Sequence, residues 1–194
     1  DPDWLDKASQ EENSSAQIPL QEALALLKPL LEDPHVLKIG QNIKYDMVIL
    51  ARSPYPIHIY PIDDTMIMSF VLDAGRSSHG MDALSQLHLD IKPIAYKAVV
   101  GTGKHQLTFD QVSLETACEY AAEDADITLR LADFLRPRLV SEQMTTVYQT
   151  IERPLALVLA EMEQNGVLVD RDTLIGLSED FESRIDMLAI DIYK

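Results

Sequence analysis

Val36-Leu-Lys-Ile-Gly40, running through Gln41 into Asn42-Ile-Lys-Tyr-Asp46, decides how this chain folds. Its apolar half predicts a short buried strand over Val36 to Ile39, too short for a helix and bounded by turn residues. Gly40-Gln41-Asn42 then turns the chain into a helix, with Asn42 in the N-cap role. On that helix Asn42 and Asp46 stand four residues apart, on one face and about one turn from each other. A strand passing directly into a helix begins an α/β unit. Open α/β sheets gather their binding groups at the C-terminal ends of strands, where Asn42 and Asp46 would sit.

Outward from that stretch the pattern is rich in helix. Upstream, Leu20, Ala23, Leu24, Leu27, Leu30 and Leu31 recur at helical spacing until Asp33-Pro34 stops them. Residues 6–17 are polar and without period, an exposed loop. Downstream, two prolines frame a short extended segment, Ile57-His-Ile-Tyr60, and helices follow from about Asp64 to Leu72 and from about Met81 to Leu89. Gly101-Thr-Gly-Lys-His-Gln-Leu-Thr-Phe109 reads as a loop, and lacks the Lys-Ser or Lys-Thr of a phosphate loop. A long helix is predicted from Leu114 to about Leu135, ended by Arg136-Pro137, and it carries Tyr120-Ala-Ala-Glu-Asp124. The expected fold class is α/β.

The tail changes character. Val147, Ile151, Leu155, Leu159 and Met162 form one helical stripe, with a kink expected at Pro154. Asn165-Gly166 ends that helix, Val167-Leu-Val169 reads as a strand, and Asp170 can cap a further helix. Leu174, Leu177, Phe181, Ile185, Leu188 and Ile192 line that helix at near-heptad spacing, a stripe that calls for a partner. Residues 1–147 are therefore expected to form one domain and 148–194 the opening of a second. The start has neither Met nor the basic and apolar regions of a signal peptide, so the chain reads as a piece of a longer one.

Composition narrows the classes. No apolar run reaches the roughly 18 residues of a membrane span. The single cysteine, Cys118, excludes an intramolecular disulfide, fits a reducing compartment and reads as a small core residue. A net charge of −16, from 32 acidic and 16 basic residues, opposes nucleic-acid binding when taken alone. Bound divalent cations would reverse the local sign, so charge leaves that question open.

The chemistry lies in the two i, i+4 pairs. Phosphodiester hydrolysis at a two-metal site needs carboxylates from separate segments to hold two cations roughly 3.5–4 Å apart, and a group to orient the attacking water. Asp124 suits the water-activating metal, Tyr120 one turn earlier can hydrogen-bond that water, and Asp46 suits the second metal. Asn42 can donate its amide to a nucleotide or to the backbone. Alone, each pair is equally a set of solvated helix side chains. Glu123 and Asp126 point elsewhere and read as a solvated face. Arg76, His79 and Lys104, in polar loops, could meet a phosphate backbone or solvent. His35, His58, His88 and His105 lack metal-ligand spacing.

Together, Lys38-Ile-Gly-Gln-Asn-Ile-Lys-Tyr-Asp46 and Tyr120-Ala-Ala-Glu-Asp-Ala-Asp126 resemble the second and third motifs of the DEDDy 3′–5′ exonucleases. Within these the resemblance is to the proofreading domain of the bacterial DNA polymerase I family, family A. Gly103-Lys-His-Gln-Leu-Thr-Phe109 is similar to a loop of that domain, and Ile151 to Asp170 to the segment that opens the polymerase domain. The resemblance implies a ribonuclease H-like fold, Mg²⁺ or Mn²⁺ at a two-metal site, and a single-stranded DNA 3′ end or primer-template as partner. A cytoplasmic, nucleoid-associated setting goes with it. It carries Asp46, Tyr120 and Asp124 to catalytic positions, Asp46 and Asp124 to metal ligation, and Asn42 and Tyr96 to substrate contact.

The family's first motif, an Asp-x-Glu on the first strand, is not found in the sequence and is expected upstream of residue 1. Without it the chain is expected to be inactive by itself and to expose a sheet edge through which it could self-associate. The alternatives are a non-catalytic exonuclease-fold scaffold supporting a polymerase, or a free-standing ribonuclease. The retained Asp46 and Asp124 speak against the first, the Ile151 to Asp170 segment against the second.

Overall fold

A computed structural model describes residues 18–76 and 78–193; the predicted loop over 6–17 lies outside them. The strand at the centre of the sequence reading is β1, Lys38–Gly40. It pairs in parallel with β2, Ile62–Asp64, in the register Lys38↔Ile62, Ile39↔Asp63 and Gly40↔Asp64. Parallel strands need a crossover, and helix α2, Ile43–Ala51, supplies it. Gly40 is required where β1 meets α2, because a Cβ there would lie 2.8 Å from Cβ of Ile43.

Helix α1, Leu20–Leu31, precedes this unit. After β2 come α3 (Thr65–Asp73), α4 (Met81–Leu89) and the short α5 (Tyr96–Val100). Two 3₁₀ turns, Gly103–His105 and Phe109–Gln111, lead to α6, Leu114–Ser141. Helix α6 packs on α3, α4 and β1. Its Ile127, Leu131, Leu135 and Leu139 bury one stripe against Met68, Leu72 and Leu84. The chain continues through α7 (Thr145–Val147), a π-helical turn (Tyr148–Glu152) and α8 (Arg153–Asn165). Ala156 and Ala160 of α8 pack against Ile43, Met47 and Val48 of α2 in a second core. The expected α/β class holds, as a helix-dominated fold around a small parallel sheet.

Several local expectations fail, each for a physical reason. The extended segment Ile57 to Tyr60 is not a strand; pairing begins only after Pro61, whose carbonyl accepts the Lys38 N–H at 3.0 Å. Pro137 does not end α6, which runs on to Ser141 with Leu139 buried. Burial of one large aliphatic side chain offsets the ~3 kcal/mol that an interior proline costs. Val167 to Val169 is no strand: the three residues are 88%, 99% and 60% exposed, and a strand without a partner has no ladder to join. Cys118, expected in the core, is exposed on α6. Where a kink is expected at Pro154, the chain forms a π turn just before it, since the proline lacks an N–H for the regular ladder.

Packing divides the chain into a compact unit ending at Gln164 and a second from Asn165 onward. The sequence boundary expected at 147/148 thus falls inside the first unit, because Tyr148, Ala156 and Ala160 are buried there. In the second unit Gly166, at φ 75°, follows the end of α8, and Asp170 caps α9, Arg171–Ile192, by accepting the Thr173 N–H at 3.1 Å. The apolar stripe of α9 is exposed, with Phe181 at 54% and Ile185 at 64%.

Candidate functional site

The C-terminal end of β1 opens on a cleft of about 600 Å³ between the start of α2 and the middle of α6. Asn42, Tyr45 and Asp46 line it from α2, and Tyr120 and Asp124 line it from α6. Four of the five residues singled out from the sequence therefore share one cavity, brought together because β1 aims α2 at α6. The fifth, Tyr96, is absent from that lining but joins it through its ring. Tyr96 and Phe109 lie near-parallel with centroids 6.3 Å apart, and both meet Tyr120 edge-on at 6.1 and 6.0 Å. Tyr96 is 47% exposed, so it is not a core aromatic.

The electrostatics of the cleft are those of partly desolvated carboxylates. Among the described residues Oδ1 of Asp124 is buried without a hydrogen-bond partner. Desolvation pushes the Asp124 carboxyl up, the facing Tyr120 hydroxyl favours its charged form, and Glu123 and Asp82 push it up further. Tyr120 is itself pushed up to about 12, first by desolvation and then by Asp124, so it remains a neutral O–H donor at ordinary pH. Desolvation also raises Asp46, with the Asp64 charge adding to it. The surface of Asp46 nevertheless reaches solvent, and screening by that water keeps the push modest.

Two hard carboxylate oxygens, one of them orphaned, fit a divalent cation of the Mg²⁺ or Mn²⁺ type. Among the described residues no cluster of three or more ligating side chains is present, so Asp46 and Asp124 would supply part of a ligand set.

Behind the cleft stand residues the sequence reading missed. Asn42 occupies the N-cap position of α2 in the left-handed region, φ 55°, which asparagine tolerates, but its side chain makes no cap. The donors are satisfied by Asp64, whose carboxylate accepts the Asn42 N–H at 3.1 Å and the Ile43 N–H at 2.9 Å. The same carboxylate caps α3 through Met66 and Ile67 at 2.9 and 3.4 Å. Gln41 lines the cleft and is held by its neighbours: Thr65 donates to its Oε1 at 2.5 Å, and its Nε2 donates to the His79 carbonyl at 2.9 Å. Aspartate directly before Thr65 at a helix start is a capping signal, but sequence alone could not show that it caps two helices.

The remaining polar residues sort themselves. Glu123 accepts the Ile94 N–H at 2.6 Å and Asp126 pairs with Arg130 at 2.8 Å, so neither lines the cleft. Arg76 pairs with Asp73 at 3.3 Å, and Nδ1 of His79 lies 2.9 Å from Ser69 Oγ.

Fold and cleft together define an α/β protein with an acidic cleft at the C-terminal end of β1. A profile of the 3′–5′ exonuclease family matches residues 4–140. The chain belongs to that family. It is 51% identical over 177 residues to DNA polymerase I of Rhizobium leguminosarum, covering 91% of this chain and 17% of that protein. It is 45% identical over 160 residues to DNA polymerase I of Pseudomonas aeruginosa, covering 81% of this chain and 18% of the relative. The chain thus spans less than a fifth of the length of these relatives, and they bear out the resemblance drawn from its two motifs. In fold it is similar to the POL domain of Pol1 from M. smegmatis, solved in complex with DNA primer-template and dNTP. The TM-score is 0.65 at 22% identity, over 93% of this chain and 28% of that one. Among the described residues no helix is long and apolar enough to cross a membrane.

Proposed function

We propose that this chain carries most of a proofreading 3′–5′ exonuclease domain, which removes terminal nucleotides from a single-stranded DNA 3′ end, within a cytoplasmic, nucleoid-associated DNA polymerase I. The observation that carries this reading is the convergence of Asp46, Tyr120 and Asp124 on one cleft, with an oxygen of Asp124 left unpartnered. Asp124 and Asp46 would each hold a divalent cation, Mg²⁺ or Mn²⁺, as part of a larger ligand set. Those cations, when bound, supply the Lewis acidity that activates water and offsets charge on the leaving 3′ oxygen.

The protein's own groups do the rest. Tyr120 donates its O–H toward the attacking water or a phosphate oxygen, and being neutral it adds no competing charge. Asn42 offers its amide to the terminal nucleotide, and Tyr96, half-exposed beside Tyr120, offers a ring face to a base. In this assignment residues 1–147 are the exonuclease domain and 148–194 open the polymerase domain. Self-association through the edge of the small sheet belongs to the same reading, for strands with unpaired N–H and C=O groups invite pairing.

The test is digestion of 3′-labelled single-stranded and fully paired DNA by the intact polymerase that contains this chain. Release of mononucleotides, faster from the single strand and dependent on Mg²⁺ or Mn²⁺, supports the reading. A polymerase that incorporates nucleotides but never degrades either substrate would make the domain a scaffold instead.

A further inference from the structure

Helix α2, which carries Asn42 and Asp46, is held in large part, directly or through β2, by residues that lie after α6 in the chain. Its N-terminal amides rest on Asp64, which is 1% exposed. The Asp64 N–H in turn donates to the Tyr148 hydroxyl at 3.0 Å, and that hydroxyl donates to Oδ1 of Asp63 at 3.0 Å. Arg153 and Arg136 reach the two oxygens of Asp63 at 3.2 and 3.0 Å, and the Arg153 guanidinium lies 6.0 Å from the Tyr148 ring centroid. At the other end of α2, Arg52 donates to the carbonyls of Glu163 and Gln164 at 2.7 and 3.1 Å, capping the C-terminus of α8. Lys44 pairs with Glu163, and between these anchors Ala156 and Ala160 let the two helices approach closely.

We propose that the π turn and α8 are the positioning element of the cleft. Tyr148 and Arg153 act through Asp63 and Asp64 on the start of α2, while Glu163 acts through Lys44 and Arg52 on its body and end.

Two features favour positioning over simple stability. Ion pairs to a buried carboxylate such as Asp63 stabilise little beyond what apolar side chains of the same volume would, whereas here they converge with the Tyr148 hydroxyl on one carboxylate next to Asp64. The contact is also not solid. A cavity of about 140 Å³, lined by Asn42, Lys44, Leu155 and Leu159 among others, separates the start of α2 from α8. Asn42 lines this cavity and the main cleft alike. Across that cavity the Arg52 and Lys44 contacts, with the Ala156 and Ala160 packing, are what tie α2 to α8. The consequence is that residues resembling the opening of the polymerase domain set the geometry of the exonuclease cleft. This rests on Asn42 and Asp46 belonging to the site, but its test needs neither DNA nor metal.

The test is hydrogen–deuterium exchange on the whole chain and on Tyr148→Phe, Arg52→Ala and Arg52→Lys. In Tyr148→Phe, the Asn42, Ile43 and Asp64 amides should exchange roughly three- to tenfold faster, the scale of one lost hydrogen bond. Arg52→Ala should act the same way on Asn42 to Asp46 from the far end of the helix, and Arg52→Lys should restore most of the protection. Amides over Ile127 to Leu139 of α6 should not change. Faster exchange spread equally over α2 and α6 would overturn the proposal, leaving only general destabilisation. So would unchanged exchange at Asn42 to Asp46. Arg52 is exposed and its variants retain the core, so the proposal is decided even if Tyr148→Phe fails to fold.

Discussion

Two pairs of aspartates lie close together and have opposite fates. Asp63 and Asp64, at the end of β2, are 5% and 1% exposed, and their oxygens are taken up by two arginines, one tyrosine and four backbone amides. Asp46 and Asp124, across the cleft, are less buried, yet Asp124 keeps an oxygen with no partner. A buried carboxylate with its lone pairs satisfied holds a fold together; one left unsatisfied costs stability and marks a place where something else binds. By that criterion the deeper pair is structural, and Asp124 of the shallower pair is the stronger candidate for binding, although burial alone would rank them the other way.

The strongest way to break this comparison is Asp124→Ala in the intact polymerase. It should lower 3′–5′ degradation by at least about 10²-fold, the scale for losing one group that stabilises charge in the transition state. Nucleotide incorporation should stay near the parent value. Parallel loss of both activities would mean that Asp124 serves folding instead.

Asp64→Ala should cost the chain about 2–4 kcal/mol, since two helix caps at roughly 1–2 kcal/mol each are lost together. Chemical denaturation followed by circular dichroism measures this directly. A cost below that of a single cap would show that water or Asn42 replaces the carboxylate.

Asp124→Asn should behave in the opposite sense. Its carboxyl is raised in the folded state, so in the pH range above the unfolded carboxylate value, about 3.9, the folded chain binds more protons than the unfolded. Stability from this group is therefore present at low pH and lost as pH rises through its folded pKa. Without divalent cations the variant should be as stable as the parent, or more so, at pH 7, with the gap closing as pH falls toward 4. Thermal melts across that range, with and without Mn²⁺, check it. Added Mn²⁺ should raise the parent's Tm more than the variant's, because only a ligand that prefers the folded state stabilises it.

The smallest expected effect is a null. The 194-residue chain alone should cleave 3′-labelled single-stranded DNA no faster than its Asp124→Ala variant, even with abundant Mg²⁺ or Mn²⁺. Two carboxylates cannot fix an activating cation in line for attack, and the described residues offer no third ligand nearby. Robust cleavage by the chain that vanishes in the variant would show that the expected Asp-x-Glu motif is dispensable.

Local sequence determined most of the elements and which candidate residues share a helix face. The strand before Asn42, the i, i+4 pairs in α2 and α6, the Asp170 cap and the α/β class were legible because each depends on neighbours within one or two turns. Spacing also put Asn42 beside Asp46 and Tyr120 beside Asp124, since a helix puts fourth neighbours on one face whatever surrounds it, while the joining of the two pairs into one set was what the family resemblance implied. What only the tertiary structure decided were the interactions between distant segments. Asp64 caps a helix that begins 21 positions earlier in the chain, and Tyr148 bonds residues 84 and 85 positions away. Leu139 keeps α6 intact past Pro137, and Val167 to Val169 stays unpaired for want of a neighbouring strand. Propensity and periodicity describe a residue with its chain neighbours, whereas the pairing of a buried carboxylate depends on which backbone amides the whole fold brings within 3 Å.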